Sequence, residues 1–394
     1  MSAVTLGTLA ERGAIIIGDG YRTRRPELSG SGFRILRVAD VLNGRIEARG
    51  PDFVAESFRR QIGAKAARAG DVLVTTKGTV GRVAMMPALA EEVVYSPQLC
   101  FFRVTDRDVV DPRFLSYWFA SEAFREQASH RANNTDMAAY INLADIRSLE
   151  VSLPTVGTQR AIAEVLGALD DKIAANDGLA ETADDVVRAK FEGLGGTEGR
   201  LALGAVAENV REMVDPALIP PNTLYVGLEH IPRRRMWMGS VGRAGEVTSG
   251  KARFHAGDIL FGKLRPYFHK VISAPESGIC STDILVVRAT DLDLQGFLLA
   301  ACASDRVVEA CTAASEGTRM PRTSWKDLAK VDVPWPSEGA VKSFSSDVVG
   351  LRARVDAATA ESRGLAALRD ALLPELMSGR LRVKDAERIV EAEV

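Results

Sequence analysis

The stretch LPTVGTQRAIAEVLGALDDKIAANDGLAETADDVVRAKF, residues 153–191, organises the interpretation of the whole chain. Its apolar residues recur at alternating steps of four and three, which is the seam pattern of a coiled-coil helix. At 1.5 Å per residue, such a helix is roughly 50 Å long. A weaker version of the pattern fills residues 333–377. The residues predicted to form the seam of a helix pair are Ile162, Leu166, Leu169, Ile173, Asn176, Leu351, Val355 and Leu365.

Two residues refine this helix prediction. Asn176 falls on the seam, where a buried amide typically fixes the register of the pair. Pro374 is predicted to end the second helix, because an interior proline breaks the hydrogen-bond ladder. Two long helices, each following a globular part, favour a spacer between two heads. The alternative is that each amphipathic helix packs on its own domain.

Short motifs recur in the same order in the two halves of the chain. AGDVL at residues 69–73 returns as AGDIL at 256–260, and LGTLAE at 6–11 returns as LGAVAE at 203–208. The offset between matching motifs only shrinks along the chain, as small deletions would produce. This order indicates one structural unit used twice. We therefore predict an α+β fold: two tandem α+β domains, separated by two long helices in an antiparallel coiled coil, with a pseudo-two-fold internal repeat.

The predicted domain limits follow from the repeat. The first head covers residues 1–153, the first helix 154–196, the second head 197–333, and the second helix with its tail 334–394. Within each head, short β-branched runs separated by glycine turns predict strands. One helix is predicted over residues 112–130, and one strand of the second head over residues 247–249.

Bulk composition excludes several classes of protein. The chain has 394 residues, 46% hydrophobic and 26% charged, with a net charge of −2, which argues against a strongly basic nucleic-acid binder. It contains no apolar run near eighteen residues, so we expect no membrane span. The first twelve residues show no basic start followed by a hydrophobic core, so we expect no secretion signal. The four cysteines have no CxxC pairing, so we expect reduced thiols in a cytoplasmic protein.

Catalytic motifs are not convincing anywhere in the sequence. Residues 15–20 resemble the start of a dinucleotide-binding motif, but the third glycine and the following helix are missing. Asp170, Asp171 and Lys172 have the spacing of a nuclease carboxylate pair, but a solvated helix face explains them better. The four histidines lie far apart, without metal-ligand spacing. We therefore predict a non-catalytic chain with no bound metal or cofactor.

Basic loops at equivalent places in the two heads are the candidate ligand surface. KGTVGR at residues 77–82 combines cations with exposed backbone amides, and GKLRPYFHK at 262–270 adds a histidine and two aromatic residues. Such groups suit phosphate and base-edge contacts, although a single Arg-rich loop is more often simply solvated. The candidate DNA contacts are Lys77, Thr79, Lys263, Arg265, His269, Lys270 and Arg319.

These segments together resemble the specificity subunit of a Type I restriction–modification system. Residues 153–176, with Gln159-Arg160 and Asn176, are similar to the central conserved region of that family. YVGLEHIP at 225–232, GDILFGKLRPY at 257–267 and TRMP at 318–321 resemble segments of its second recognition domain. The C-terminal helix departs from the pattern, because it lacks the Gln-Arg pair and the Asn.

The resemblance implies a function in bacterial defence. The chain would be the non-catalytic DNA sequence-specificity subunit, whose two target-recognition domains read a bipartite target at a spacing fixed by the helices. It would dock methyltransferase subunits, expected in two copies, and restriction subunits in the full complex. The complex would be a DNA adenine methyltransferase and ATP-dependent endonuclease, with S-adenosylmethionine, ATP and Mg²⁺ in the partner subunits. The alternatives are a repeat-built adaptor that binds protein rather than DNA and, less favoured, a self-sufficient nuclease.

Overall fold

The two longest helices of the computed structural model occupy Val156–Gly193 and Glu338–Ser378. The structure describes residues 2–48, 50–131, 140–194, 199–315 and 320–393. The chain divides into an N-terminal unit, Met1–Lys172 with Leu365–Val394, and a C-terminal unit, Ile173–Gly364. The division falls within both long helices, so each helix contributes to both units. The predicted four-segment domain limits stay a prediction.

The N-terminal unit begins with short strands and helices that alternate along the chain. In order, they are β1 (Ser2–Thr5), α1 (Leu6–Glu11), β2 (Ile15–Asp19), β3 (Leu28–Ser29), β4 (Phe33–Leu36), β5 (Phe53–Val54), α2 (Arg59–Ile62), β6 (Val72–Thr75), β7 (Val83–Met85), β8 (Val93–Tyr95), β9 (Leu99–Val104), α3 (Pro112–Ala120), α4 (Glu122–Arg131), α5 (Leu143–Arg147), β10 (Glu150–Leu153) and the long helix α6 (Val156–Gly193).

The C-terminal unit follows with a similar succession of elements. They are β11 (Arg200–Ala202), β12 (Ala207–Val210), β13 (Met213–Val214), β14 (Leu224–Val226), β15 (Gly242–Arg243), β16 (Lys251–Phe254), β17 (Ile259–Gly262), β18 (Val271–Ser273), β19 (Gly278–Cys280), β20 (Ile284–Ala289), α7 (Gln295–Cys302), α8 (Asp305–Ala314), α9 (Trp325–Leu328), β21 (Asp332–Pro334) and the long helix α10 (Glu338–Ser378). The last helix, α11 (Val383–Glu391), belongs to the N-terminal unit.

The two units share one sheet topology. The N-terminal unit has a four-stranded antiparallel sheet in the order β2-β9-β6-β7, and the C-terminal unit has the matching sheet β12-β20-β17-β18. Each unit has a second sheet with one parallel pair, β4 with β8 and β14 with β19. Each also has a two-stranded ladder, β1 with β10 and β11 with β21. The predicted α+β class and internal repeat are therefore confirmed by strand order.

The long helices run antiparallel within the C-terminal unit. Asn176 of α6 donates to Ser362 of α10 over 3.1 Å, and Lys190 pairs with Asp347 over 2.7 Å. Because the position on α10 falls as the position on α6 rises, the two chain directions are opposite. Buried apolar residues of both helices share one core with the sheet β12-β20-β17-β18. They are Ala183, Val187, Phe191, Val341, Phe344, Val348 and Val355.

Three predictions about elements are wrong. The helix expected over residues 112–130 is two helices, because Ser121 is extended and its hydroxyl accepts a hydrogen bond from the Phe124 amide, as a cap does. Residues 247–249 form no strand, since pairing with β19 begins only at Ala252. Pro374 lies inside α10 rather than at its end. One missing N–H is tolerated there because Leu372, Leu373 and Leu376 are buried on either side of it.

Candidate nucleic-acid interface

An ion pair with a buried aspartate supports the same hairpin in both units. In the N-terminal unit, Asp71 accepts two hydrogen bonds of 2.7 Å from the Arg103 guanidinium. In the C-terminal unit, Asp258 accepts two of 2.7 Å from Arg288. These bidentate pairs anchor the residues directly before β6 and β17 to β9 and β20.

The glycine of the repeated AGD motif gives the anchoring turn its shape. Gly70 and Gly257 have φ angles of +85° and +89°, a backbone region that favours glycine. In each turn, the aspartate that follows accepts a hydrogen bond from the amide three residues earlier, Arg68 over 2.9 Å or His255 over 2.8 Å. The AGD motif, which is the strongest sequence repeat, therefore has a structural role, because it stabilises the turn that holds the hairpin.

The hairpins place the basic loops at equivalent positions. The first loop, residues 76–82, joins β6 to β7, and the second loop, residues 263–270, joins β17 to β18. An isolated β-bridge ties Lys77 to Tyr140 in the first loop, and another ties Leu264 to Arg322 in the second. The two bridges set the loops in matching register within their own units.

The first loop presents Lys77 and Thr79 at the surface. Both side chains are exposed, and the Thr79 carbonyl accepts a hydrogen bond of 2.5 Å from the Thr75 hydroxyl. A cleft of about 210 Å³ opens beside Lys77, and Asp19, Thr76, Tyr140 and Asn142 are among its lining residues. Across the described ranges, the Lys77 ammonium pairs with no carboxylate. This surface therefore offers one free cation next to a cleft whose walls are partly polar and partly apolar.

In the second loop, one arginine side chain is exposed, whereas the two lysine side chains donate hydrogen bonds to backbone carbonyls. Lys263 donates to the Thr282 carbonyl over 2.5 Å, and Lys270 donates to the Leu228 carbonyl. Burial lowers the pKa of both ammonium groups. Arg265 is exposed, and half of Tyr267 remains accessible. Among these cations, Arg265 is therefore the one best placed to meet a ligand.

The remaining candidate DNA contacts are His269 and Arg319, and the structure describes only His269. The His269 side chain is only 3% exposed. Its Nε2 lies 2.8 Å from the Ala303 carbonyl and its Nδ1 lies 3.4 Å from Asp305. Burial lowers the pKa of the imidazole. This geometry argues for a structural role, so we leave His269 out of the proposed contact surface. Arg319 lies outside the described residues.

The predicted seam residues are buried to different degrees. Ile162, Leu166, Leu169, Val355 and Leu365 are buried, and Ile173, Asn176 and Leu351 are half-buried. Besides Ser362, the Asn176 amide donates to Glu361 over 2.7 Å and to the Ala358 carbonyl over 3.2 Å.

Two contacts of α6 in the N-terminal unit were missed by sequence reasoning. The buried Gln159 accepts from the Asp111 amide over 2.9 Å and donates to the Val109 and Pro154 carbonyls. Asp170 accepts from Tyr117 over 2.6 Å and pairs with Arg369 over 2.7 Å. The carboxylate considered for a nuclease is thus engaged in packing α6. The sequence signal that could have identified Gln159 is the Gln159-Arg160 pair, which belongs to the segment that resembles the central conserved region of the specificity-subunit family.

Comparison with known proteins finds one matching family model for part of the chain. Residues 19–183 match the family model described as the Type I restriction modification DNA specificity domain. This part of the chain is therefore similar to that specificity domain. The match extends from β2 through most of α6, so it includes the first loop and all the seam residues on α6. The resemblance seen in the sequence is therefore confirmed.

Two curated relatives that match parts of the chain are specificity subunits. The specificity subunit of the Type I restriction enzyme EcoDI from Escherichia coli is 31% identical over 121 residues, which cover 29% of this chain and 26% of that protein. The specificity subunit of MjaVIII from Methanocaldococcus jannaschii is 24% identical over 161 residues, covering 40% and 37%. The matches thus span about a quarter and somewhat over a third of the lengths of these curated relatives.

A solved structure extends the agreement in fold beyond the specificity domain. The crystal structure of a Type I restriction–modification system S subunit from M. genitalium superposes with a TM-score of 0.56 at 16% identity, covering 95% of both chains. The likeness shows a shared fold over nearly the whole chain.

Membrane-spanning helices and metal-ligand clusters are both absent from the described ranges. Every helix there is too short or too polar to traverse a lipid bilayer. The same residues bring no three His, Cys, Asp or Glu side chains together as metal ligands. The four cysteines, Cys100, Cys280, Cys302 and Cys311, are free thiols and all buried.

Proposed function

We propose that this chain is the DNA sequence-specificity subunit of a Type I restriction–modification complex and reads a bipartite target with its two units. One observation carries the proposal beyond the family match. The same anchored hairpin holds a loop at the same place in both units, yet the two loops differ in sequence. A repeated scaffold with two different reading surfaces suits a target whose two halves differ.

The chemistry of the loops fits double-stranded DNA. Lys77 and Arg265 present positive charge to phosphate oxygens and base edges, and the Thr79 hydroxyl adds a donor or acceptor. Lys263 and Lys270 stand behind this surface and contribute to its positive potential. Arg319 remains a predicted contact. The overall charge of −2 fits a complex in which partner subunits neutralise much of the phosphate backbone.

The helix pair would set the gap between the half-sites and carry the partners. We propose that α6 and α10 dock two methyltransferase subunits, and that restriction subunits join the full complex. In this assignment the chain is not itself an enzyme. S-adenosylmethionine, ATP and Mg²⁺ belong to the partner subunits, and the complex works in the cytoplasm. The resemblance of residues 153–176 to a conserved family region supports this arrangement.

Methylation sequencing of the host genome, with and without the gene, tests the proposal. Deletion is expected to remove adenine methylation at one split motif and to leave other motifs unchanged. Re-expression of the full chain should restore the same motif. Unchanged methylation, together with failure of the purified chain to bring down a methyltransferase, would refute the proposal and favour the protein adaptor.

A further inference from the structure

Backbone strain in the C-terminal unit is concentrated at the second loop. Among the described residues, the non-glycine residues with positive φ are Arg234 at +55°, Arg265 at +50° and His269 at +53°. Two of them belong to the second loop, and the third touches it, because the Arg234 amide donates to the His269 carbonyl over 2.9 Å. Left-handed backbone is unfavourable for a residue with a Cβ, so such a cluster calls for a reason.

The first loop makes the same corners with glycine. Gly78 and Gly81 have φ angles of +85° and +91°. The bridges at Lys77 and at Leu264 align Gly78 with Arg265, since each residue directly follows its bridge. The second loop is one residue longer, and its other corner falls at His269. The fold therefore accepts glycine at the first corner, and the C-terminal unit carries arginine there instead.

Two of the three strained residues are compensated by their own side-chain contacts. The Arg234 guanidinium donates to both Asp305 oxygens over 2.8 and 3.0 Å. The buried His269 ring lies against the Ala303 carbonyl. Such contacts offset the strain in the folded state and explain why glycine is absent at these two positions.

Arg265 has no comparable compensation. Its backbone is fixed, because its amide donates to the Pro321 carbonyl over 2.8 Å and its carbonyl accepts from Phe268 over 2.9 Å. Its guanidinium only lies near the Phe268 ring, 5.9 Å from the centroid, and no carboxylate of the described residues pairs with it. The surrounding structure holds Arg265 in a strained backbone conformation, and no structural contact of its side chain accounts for the strain. Such a residue points to a ligand.

The surroundings of Arg265 suit the edge of a base. Arg233 stacks on Phe268 with its Cζ 4.0 Å from the ring centroid. Tyr267 packs edge-on against the same ring at 4.8 Å and remains half exposed. The aromatic pair gives Arg265 an apolar neighbour and limits its freedom. A guanidinium fork matches the O6 and N7 acceptors of guanine in the major groove.

We propose that Arg265 reads a guanine by a bidentate contact in the half-site bound by the C-terminal unit. This inference rests on the proposed function and adds the base, the residue and the reason for the strained backbone. It also predicts that the two units read DNA differently at the aligned corner, because the first loop has Gly78 there and no side chain to reach a base.

Replacement by glycine separates reading from folding. Arg265→Gly removes the guanidinium and relieves the left-handed strain, so the melting temperature of the full chain should stay unchanged or rise by up to about 3 °C. The full chain, co-expressed with its methyltransferase subunits, is used to select from a random duplex library. Discrimination at one G·C pair should fall by about 5- to 150-fold, the usual value of one bidentate contact. The other half-site should be unaffected.

Two further variants sharpen the test. Arg265→Lys keeps the charge but not the fork, so overall binding should fall less than discrimination at that base pair. Lys326→Gln removes an exposed cation from α9 in the same unit and should leave the selected motif unchanged. An unchanged motif in Arg265→Gly would overturn the inference while leaving the proposed function intact. A lowered melting temperature with loss of both half-sites would show a structural role instead. A wild-type chain that selects no motif would overturn the proposed function and this inference together.

Discussion

The buried ion pair between Asp71 and Arg103 gives the sharpest stability prediction. We consider Arg103→Leu, which keeps an apolar stem in place but removes the guanidinium. The Arg103 side chain is 7% exposed and that of Asp71 is 1% exposed. The substitution therefore leaves a carboxylate in the interior without a counter-charge. Removing one partner of a buried ion pair typically lowers the free energy of unfolding by about 3–5 kcal/mol.

The equivalent pair in the C-terminal unit provides a matched comparison. Asp258 is as buried as Asp71, but the Arg288 side chain is 32% exposed. Water can therefore reach the site once the guanidinium is removed. Arg288→Leu should lower the free energy of unfolding by only about 1–3 kcal/mol, the range for a hydrogen bond to a charged group. The same chemical change is thus expected to have a larger effect in the N-terminal unit.

Calorimetry of the full chain measures the difference. The N-terminal unit has roughly 200 residues, a size at which 1 kcal/mol shifts the melting temperature by about 2–4 °C. Arg103→Leu should therefore lower the melting temperature of that unit by roughly 6–20 °C, more than Arg288→Leu lowers that of the other.

A second substitution, which neutralises the unpaired Asp71 carboxylate, separates the effect of the buried charge on stability from the effect of the lost packing. On the Arg103→Leu background, Asp71→Asn should recover part of the lost stability. The amide oxygen can still accept from Tyr95, which now donates to Asp71 over 2.7 Å, and no charge remains buried. The reasoning is refuted if Arg288→Leu is as destabilising as Arg103→Leu, or if Asp71→Asn recovers nothing.

Three further predictions concern α6. Burial raises the pKa of Asp184 to about 6, although Arg235 lies 3.6 Å away, whereas the unfolded side chain titrates near 3.8. Between these pH values the folded state binds the additional proton, so stability falls as the pH rises. Asp184→Asn should remove this dependence and melt higher than the wild type at pH 8, by a smaller margin at pH 5. Gln159→Leu removes the buried amide that accepts from the Asp111 N–H and donates to the Val109 and Pro154 carbonyls, and should lower the melting temperature of the N-terminal unit by roughly 4–12 °C. Leu169→Asp buries an unpaired carboxylate and should destabilise the complex or change the gap between the half-sites.

Controls for these variants lie on the same helix. Asp185→Asn changes an exposed carboxylate next to Asp184 and should leave the pH dependence of melting intact. Arg160→Gln, beside Gln159, alters an exposed side chain and should shift the melting temperature by less than about 2 °C. Equal pH profiles for Asp184→Asn and the wild type would contradict the burial argument. A Leu169→Asp complex with normal stability and an unchanged gap would contradict the role of the helix pair as a spacer.

Local patterns in the sequence predicted the parts of the fold that depend on neighbouring residues. The four-three spacing of apolar residues predicted α6, because a helix brings residues three and four apart onto one face. The ordered motifs predicted a duplicated α+β unit, which the two sheets β2-β9-β6-β7 and β12-β20-β17-β18 confirm. Pro374 shows the limit of such rules, since burial of the leucines around it outweighs one lost hydrogen bond.

Tertiary structure alone decided which polar side chains are available to a ligand. In the sequence, the basic residues of the second loop were equally good candidates for contact with a ligand. In the structure, Lys263 and Lys270 donate to distant carbonyls and His269 is buried. Arg265 remains exposed. The alignment of Arg265 with Gly78 likewise required the two β-bridges. These outcomes depend on hydrogen-bond partners 19 to 63 residues away along the chain, such as Thr282 for Lys263 and Tyr140 for Lys77. Helical periodicity is a short-range property that the sequence determines by itself, whereas the burial of a charge depends on which distant segments the fold brings against it.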